Sequence, residues 1–435
     1  MPEVVEKYRQ SFEAFERSLN DDSSSSVHNL RKRGLNAFEK HGFPIQKVEN
    51  WKYTKTTPFL ATSPLTSINE IPEDISYENY NQIQANKLVF VDGFFRKDLS
   101  HVIDKEESLV ISSLKEALNK NHEEIISKLS LSEDRSNSPE ALNTAFLNDG
   151  AYVRIPNNKT LAHPVFFLFL FTQAAERHLI QPRNLISLGE NSECSIIESY
   201  QSLSENDTYS NCVTDIDLEK NSRLQYYKIQ PDQAGVNHLG STIASQQGGS
   251  NLHAVTITLN GSLIRNNFAV ALNGERTYTS LSGLYLLDDN DHVDNHIEID
   301  HRQPNCESHQ LYKGLMDGSS TGVFNGKIFV QEDAQKTNAF QSNKNILLSD
   351  SATINSKPQL EIFADDVKCS HGSTTGQMDE QALFYLRSRG LGKNDAKAIL
   401  NLAFAADVID RVKIPELKEL LHQQVQDKLK VEFAL

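Results

Sequence analysis

Cysteine is scarce in this chain. Four thiols stand in 435 residues, at Cys194, Cys212, Cys306 and Cys369, too few and too far apart for a disulfide framework. They are expected to be reduced. Long apolar runs are missing too: the longest, Pro164 to Phe171, falls far short of the ~20 residues that cross a bilayer. The N-terminus, MPEVVEKYRQSFEAFERSL, carries acids throughout and lacks the apolar segment of a signal peptide. A cytoplasmic protein with no membrane contact is the expectation. An excess of positive charge is also absent. The formal net charge is −15 and the pI near 5.4, which argues against a nucleic-acid binder. The common catalytic motifs are missing as well. Gly326-Lys327 is followed by Ile328 with no glycine at P-loop spacing, and there is no His-Glu-x-x-His or Cys-x-x-Cys. The chain therefore reads as non-enzymatic, with no nucleotide site of its own.

What is present falls into three parts, as expected of a chain longer than the roughly 250–300 residues at which one core stops growing. Residues 1–150 read as an N-terminal α/β region, mostly helical. Val5, Tyr8, Phe12, Phe15 and Leu19 recur at helical spacing. The run from Asp21 to Ser26 is a polar linker, and a second helix spans Val27 to Lys40, closed by Gly42 and Pro44. Trp51, the one tryptophan, is expected to anchor this region on the rest of the protein. A strand at Leu88–Val91 turns at Asp92-Gly93, helical pattern follows from Leu109 to Leu131, and Ser132 to Pro139 reads as an exposed connection.

From 151 to 376 the periodicity changes from helical to alternating. Cys212, Thr214, Ile216 and Leu218 alternate with polar neighbours, as do Val255, Ile257 and Leu259, then Ile297 and Ile299, then Ile328 and Val330. Turn-like clusters at Gly189–Ser192, Lys220–Ser222, Gly248–Ser250 and Asn273-Gly274 repeat about every 25–30 residues, the spacing of stacked coils or blades. No helix interrupts the strands, so a parallel β-helix fits better than a βαβ fold or a sandwich. Residues 377–435 return to helix. The helix near Asn394 is apolar on two sides and must be covered on both.

The stretch KPQLEIFADDVKCSHGSTTGQMDEQALFYLRSRGL, Lys357 to Leu391, joins a strand to a helix. Leu360, Ile362 and Ala364 alternate with Glu361, Phe363 and Asp365, and continuing that alternation puts Val367, Cys369 and His371 on one face. Gly372 and Gly376 break the strand, and Asp379 caps a helix beginning at Glu380. Cys369 and His371 are the closest pair of soft metal ligands in the chain, suited to zinc, ferrous iron or an iron–sulfur cluster. Two ligands leave a site open. The pair is equally explicable as a small core thiol beside a turn histidine, unless a partner supplies the rest. A second dense cluster runs from Asp288 through His292, Asp294, His296, Glu298, Asp300, His301, Cys306 and His309. Part of it is an ordinary strand, so a solvated or partner-facing face is favoured over a metal site, and whether these histidines and Cys306 handle metal stays open.

The run Asp365-Asp366-Val367-Lys368-Cys369-Ser370-His371-Gly372, with Lys357-Pro358-Gln359-Leu360-Glu361 before it and Phe384-Tyr385-Leu386-Arg387-Ser388-Arg389-Gly390 after it, resembles the signature of the SufB/SufD family of iron–sulfur cluster assembly proteins. Trp51-Lys52-Tyr53-Thr54 is similar to the SufD branch rather than the SufB branch. Ser373, Thr374 and Thr375 make the junction richer in hydroxyls than the family pattern. The resemblance implies a mainly β fold, a right-handed parallel β-helix flanked by helical regions. It implies a scaffold in the SufBCD complex of the SUF system, pairing with SufB through the β-helices and docking the ATPase SufC through the C-terminal helices. Cluster assembly and iron acquisition would take place at the SufB–SufD interface, with a ligand from His371 and Cys369 close by. The resemblance leaves open the cluster type, the iron donor, whether a reduced flavin binds the complex, and whether homodimers form when SufB is absent. The rival reading is a carbohydrate-active β-helix lyase of the secreted type, with acids between Asp288 and Asp294 holding calcium. A stand-alone metalloprotein is the third.

Overall fold

A computed structural model of the chain describes residues 2–19, 25–66, 75, 77, 80–106, 108–131, 134, 137–231 and 233–430. From 151 to 376 the chain passes back and forth between two sheets, and from Thr208 on each strand pairs in parallel with the strand two before it and, short of the last coil, with the strand two after it. One sheet leads from Ala151–Ile155 to Thr353–Ile362, the other through Val165–Phe171 to Val367–Gly376. The result is the expected parallel β-helix, a solenoid of about eight turns.

Like residues stack because the register never slips. Ile216 pairs with Ala244, Ala244 with Val270, Val270 with Ile299, Ile299 with Ile328 and Ile328 with Leu360, a single apolar column along the lumen. The predicted turn clusters are the corners. Asn191 and Asn221 take left-handed backbones, φ 56° and 57°, which asparagine tolerates better than most residues. Their amides form a ladder, Asn221 Nδ2 to Asn191 Oδ1 at 3.1 Å and Asn191 Nδ2 to Asn158 Oδ1 at 2.9 Å. The next rung is Gly249, φ 72°, where a Cβ would lie 2.3 Å from Asn221 Oδ1.

Helices cover both outer faces. In the N-terminal region α1 (Pro2–Leu19) and α2 (Ser26–His41) bury Tyr8, Phe12, Phe15 and Phe38 with Phe43, Trp51 and Phe59. Ser25 caps α2 by accepting from the His28 amide at 3.1 Å, and Gly42 closes it. Most of the predicted linker, Asp21 to Ser24, lies outside the described residues. The helical pattern at 109–131 divides into a strand, Val110–Ser113, and α3, Leu114–Lys128. Ser113 ends the strand because its hydroxyl caps the helix, accepting from Glu116 N. Ser138 and Pro139, read as exposed, instead open the buried α4 (Ser138–Ala145). Proline in a helix's first turn costs no hydrogen bond, and the packing of α4 against α2 overrides the local polarity.

After Gly376 come α5 (Glu380–Ser388), α6 (Lys393–Ile409) and α7 (Pro415–Lys428). Ala405, Val408 and Ile409 of α6 and Leu417, Leu421 and Val425 of α7 pack on Val255, Ile257, Leu284 and Leu315. Val255 and Ile257 thus face outward under helices, while Leu252 and Ala254 face the lumen. Both faces of that strand are buried. The double-sided apolar character of α6 is met by the solenoid on one side and α7 on the other. Among the described residues no helix is long and apolar enough to cross a membrane.

Candidate functional site

The last coil is where stacking stops. Its two strands, Thr353–Ile362 and Val367–Gly376, close the two sheets, so each has a neighbour on one side only. The alternation from Leu360 to His371 does not describe one strand, because the chain turns at 363–366 and changes sheets. Cys369 and His371 still share a face because alternation restarts at Val367. Gly372 does not break the strand either. It pairs with Ser342, and the ladder continues to Gly376 opposite Ile346. A fixed neighbouring strand holds glycine extended despite its loss of ~1 kcal/mol of backbone entropy. Asp379 caps α5 as expected, accepting from Gln381 N at 2.9 Å and Ala382 N at 3.1 Å.

Cys369 and His371 point into the open mouth of the lumen, at different depths. Cys369 is half-buried against Ile328, Val330, Ala334, Ala339 and Ala364. Burial pushes its thiol up, and the Ala339 amide works in the opposite direction. The thiol is therefore held protonated until a metal or a positive partner favours the thiolate. His371 is exposed. The site has space: nothing lies within 4 Å of where a Cβ would sit on Gly372 or Gly376. Among the described residues no three His, Cys, Asp or Glu side chains converge as a metal-holding group, so Cys369 and His371 form an incomplete donor set.

The lumen behind this mouth is polar along one half, which the sequence reading missed. Ser356 Oγ meets Ser373 Oγ at 2.8 Å and donates to Asn343 Oδ1 at 2.9 Å. Asn345 Nδ2 donates to Asn343 Oδ1 at 2.7 Å, and Tyr285 Oη donates to Asn345 Oδ1. Deeper in, the fully buried Glu198 accepts from Tyr226 Oη at 2.7 Å, Thr214 Oγ1 at 2.9 Å and Tyr200 Oη, and faces Lys228 Nζ at 3.4 Å. Burial, then the nearby Lys228 charge, depresses His238 well below its usual range and keeps it neutral. These polar residues hid among strands that pattern reading treats as apolar inside, yet a buried carboxylate and ammonium must be paired.

The second cluster is dispersed by the fold. Its outer face is covered by the chain's own N-terminal segment, so it is neither solvated nor partner-facing at its centre. His292 Nε2 meets Thr54 Oγ1 at 2.9 Å, Thr54 donates to Asp294 Oδ2 at 2.6 Å, and Arg265 Nη1 reaches the same oxygen. Arg265 stacks on Trp51, 4.0 Å from the ring centroid. Trp51 and Thr54 thus clamp the N-terminal region onto the solenoid: the tryptophan was expected, the threonine was not. Burial drives His296 down to about 3. His301 turns into the lumen, bonded to Ser308 Oγ at 2.9 Å and depressed to about 4 by burial. Cys306 is buried with its thiol donating to Gly274 O, and His309 stacks on Phe340, ring centroids 5.3 Å apart, on the opposite sheet. Among the described residues nothing gathers the acids of 288–294 into a calcium cage, and the lyase reading is not favoured.

Fold and site together define a helix-flanked parallel β-solenoid with a soft-ligand pair at its open last coil. Comparison with known proteins gives the family. The profile "SUF system FeS cluster assembly, SufBD core domain" matches residues 170–404, and "SufBD protein N-terminal region" matches residues 2–166; the chain belongs to the SufBD family of the SUF iron–sulfur cluster assembly system. It is 33% identical over 412 residues to an iron–sulfur cluster assembly SufBD family protein of Synechocystis sp., covering 92% of this chain and 91% of that one. It is 26% identical to the iron–sulfur cluster assembly protein SufD of Escherichia coli over 98% of this chain and 97% of that protein. It is also 26% identical to protein ABCI7, chloroplastic, of Arabidopsis thaliana, over 97% and 90%. Relatives therefore differ in compartment, and family membership does not fix one for this chain.

Proposed function

We propose that this chain is a non-enzymatic scaffold subunit of a SufBCD-type complex, pairing with SufB through the open last coil and docking the ATPase SufC through the C-terminal helices. The nascent iron–sulfur cluster is cargo at the SufB-facing end. His371 supplies a ligand and Cys369, behind it, a second thiol once deprotonated. The observation that carries this reading is the exposed His371 beside a half-buried Cys369 at a coil with no further neighbour. An imidazole nitrogen suits ferrous iron, whereas the raised Cys369 thiol must lose its proton before it binds. Iron acquisition at the interface fits this order, histidine first. The docking half is supported by α5, which presents Phe384, 72% exposed, and Tyr385, 57% exposed, while burying only Leu383. Large aromatics left in water on a helix mark an interaction surface.

The test is reconstitution of iron and sulfide on the complex of this chain with SufB and SufC. His371→Ala is expected to lower cluster yield and transfer several-fold with the complex intact. Unchanged yield would remove His371 from the ligand set.

A further inference from the structure

The column of side chains behind His371 is polar and ends on an unpartnered atom. In the sheet that closes with Val367–Gly376, Gln310 pairs with Gln341 and Gln341 with His371, so the three residues stand at one register position on successive strands, about 4.8 Å apart. They share the lumen face. Ala339, two residues before Gln341, packs with Cys369, and the Gln341 amide reaches across to the opposite sheet, where a Cβ on Gly326 would lie 1.9 Å from its nitrogen.

Gln341 Nε2 donates to Gln310 Oε1 at 2.8 Å. The pair is an amide ladder like that of the corner asparagines, run along the inside of the solenoid. Both glutamines are 3% exposed, and Gln341 Oε1 is buried with no hydrogen-bond partner. The nitrogen and oxygen of a planar amide diverge, so with Nε2 committed to the coil behind, Oε1 is turned away from Gln310. A buried carbonyl left without a donor costs about 1–3 kcal/mol, a cost that a methionine of similar length would avoid. The next side chain in the column is His371, whose ring carries an N–H in either tautomer.

We infer that Gln341 is a positioning residue for His371: its Oε1 accepts the ring N–H when His371 takes up metal, and so holds the other ring nitrogen outward. The inference rests on His371 as a ligand, proposed above, and adds the group that orients it. A ligating imidazole binds through one nitrogen and donates the N–H of the other to a fixed acceptor, which sets both the tautomer and the ring plane. The ladder then runs from Gln310 through Gln341 to His371, each N–H directed to the coil behind. Gln310 sets its direction, because its carbonyl holds the Gln341 nitrogen and thereby decides which end of that amide meets the histidine. No coil follows His371 in this sheet, so the nitrogen left over faces out of the solenoid.

Co2+, an optical probe for the ferrous ion, tests this when titrated into the complex of the full chain with SufB and SufC. Gln341→Met keeps the length and removes the acceptor, and is expected to weaken Co2+ binding at least about ten-fold. Gln341→Glu keeps an acceptor oxygen at the same place and is expected to bind as wild type. His371→Ala sets the scale for losing the ligand itself. Gln341→Met binding as wild type, while His371→Ala does not, overturns the role of Gln341 and leaves His371 a ligand. Gln341→Glu falling as far as Gln341→Met also overturns it, because packing and not the acceptor would then be what the site needs. His371→Ala binding Co2+ as tightly as wild type would instead overturn His371 as a ligand, and with it the reading on which the inference rests.

Discussion

The strands Tyr278–Leu287 and Val367–Gly376 lie in the same sheet, each ten residues long and each with a glycine near its middle. In the first, nine of the ten positions are buried; in the second, none is. At Gly283 an added Cβ would meet the Tyr312 ring at 2.2 Å, whereas at Gly372 it would meet nothing within 4 Å. The same residue type is a packing requirement in one coil and open space in the other. What separates them is whether another coil follows. Interior coils spend their side chains on a continuous core, and the last coil is left with donors, backbone edges and room.

That contrast can be broken by experiment, beginning inside. Glu198→Ala removes the partner of a buried Lys228 and three hydroxyl donors, and is expected to cost about 3–5 kcal/mol in denaturant unfolding. A loss under about 1 kcal/mol would show that the interior coils tolerate an unpaired charge, and the distinction between coils would fall. Acid should come next. His301 has its folded pKa lowered to about 4 from an ordinary value near 6.5, so the unfolded chain takes up its proton first. The stability held by the neutral ring is complete above about pH 6.5 and is lost as pH falls toward 4, about 3 kcal/mol in all. Measured as unfolding free energy from pH 7 to pH 4, His301→Gln should show a correspondingly flatter profile; an unchanged slope would assign the acid sensitivity elsewhere. The smallest effect belongs to the open coil. His371→Ala should change the unfolding free energy by less than about 0.5 kcal/mol. A loss above about 1 kcal/mol would make His371 a structural residue and erase its difference from the interior.

The corners of the solenoid were legible because left-handed turns select Asn and Gly, and their recurrence set the coil length before any strand was placed. The lumen column through Ile216, Ile299 and Ile328 was legible for the same reason, since one apolar residue in two survives wherever a face is buried. Less visible was the turn at 363–366: Ala364 is itself buried, so the alternation ran on through a change of sheet. The buried α4 was masked by Ser138 and Pro139, polar or turn-like by type and covered only through contacts with α2. The cluster at 288–309 misled in the other direction. Its density suggested a metal or a wet face, but Thr54, more than two hundred residues away, takes up His292 and Asp294.

By itself the sequence determined the solenoid, its flanking helices, the family signature and the pairing of Cys369 with His371 on one face. Each of these is written in local spacing, residue type or motif. Only the tertiary structure decided that this pair opens at the last coil, whose two strands end their sheets, and that Lys228 and Glu198 meet in the lumen. Those facts depend on which strand lies beside which, and no single stretch of sequence records that.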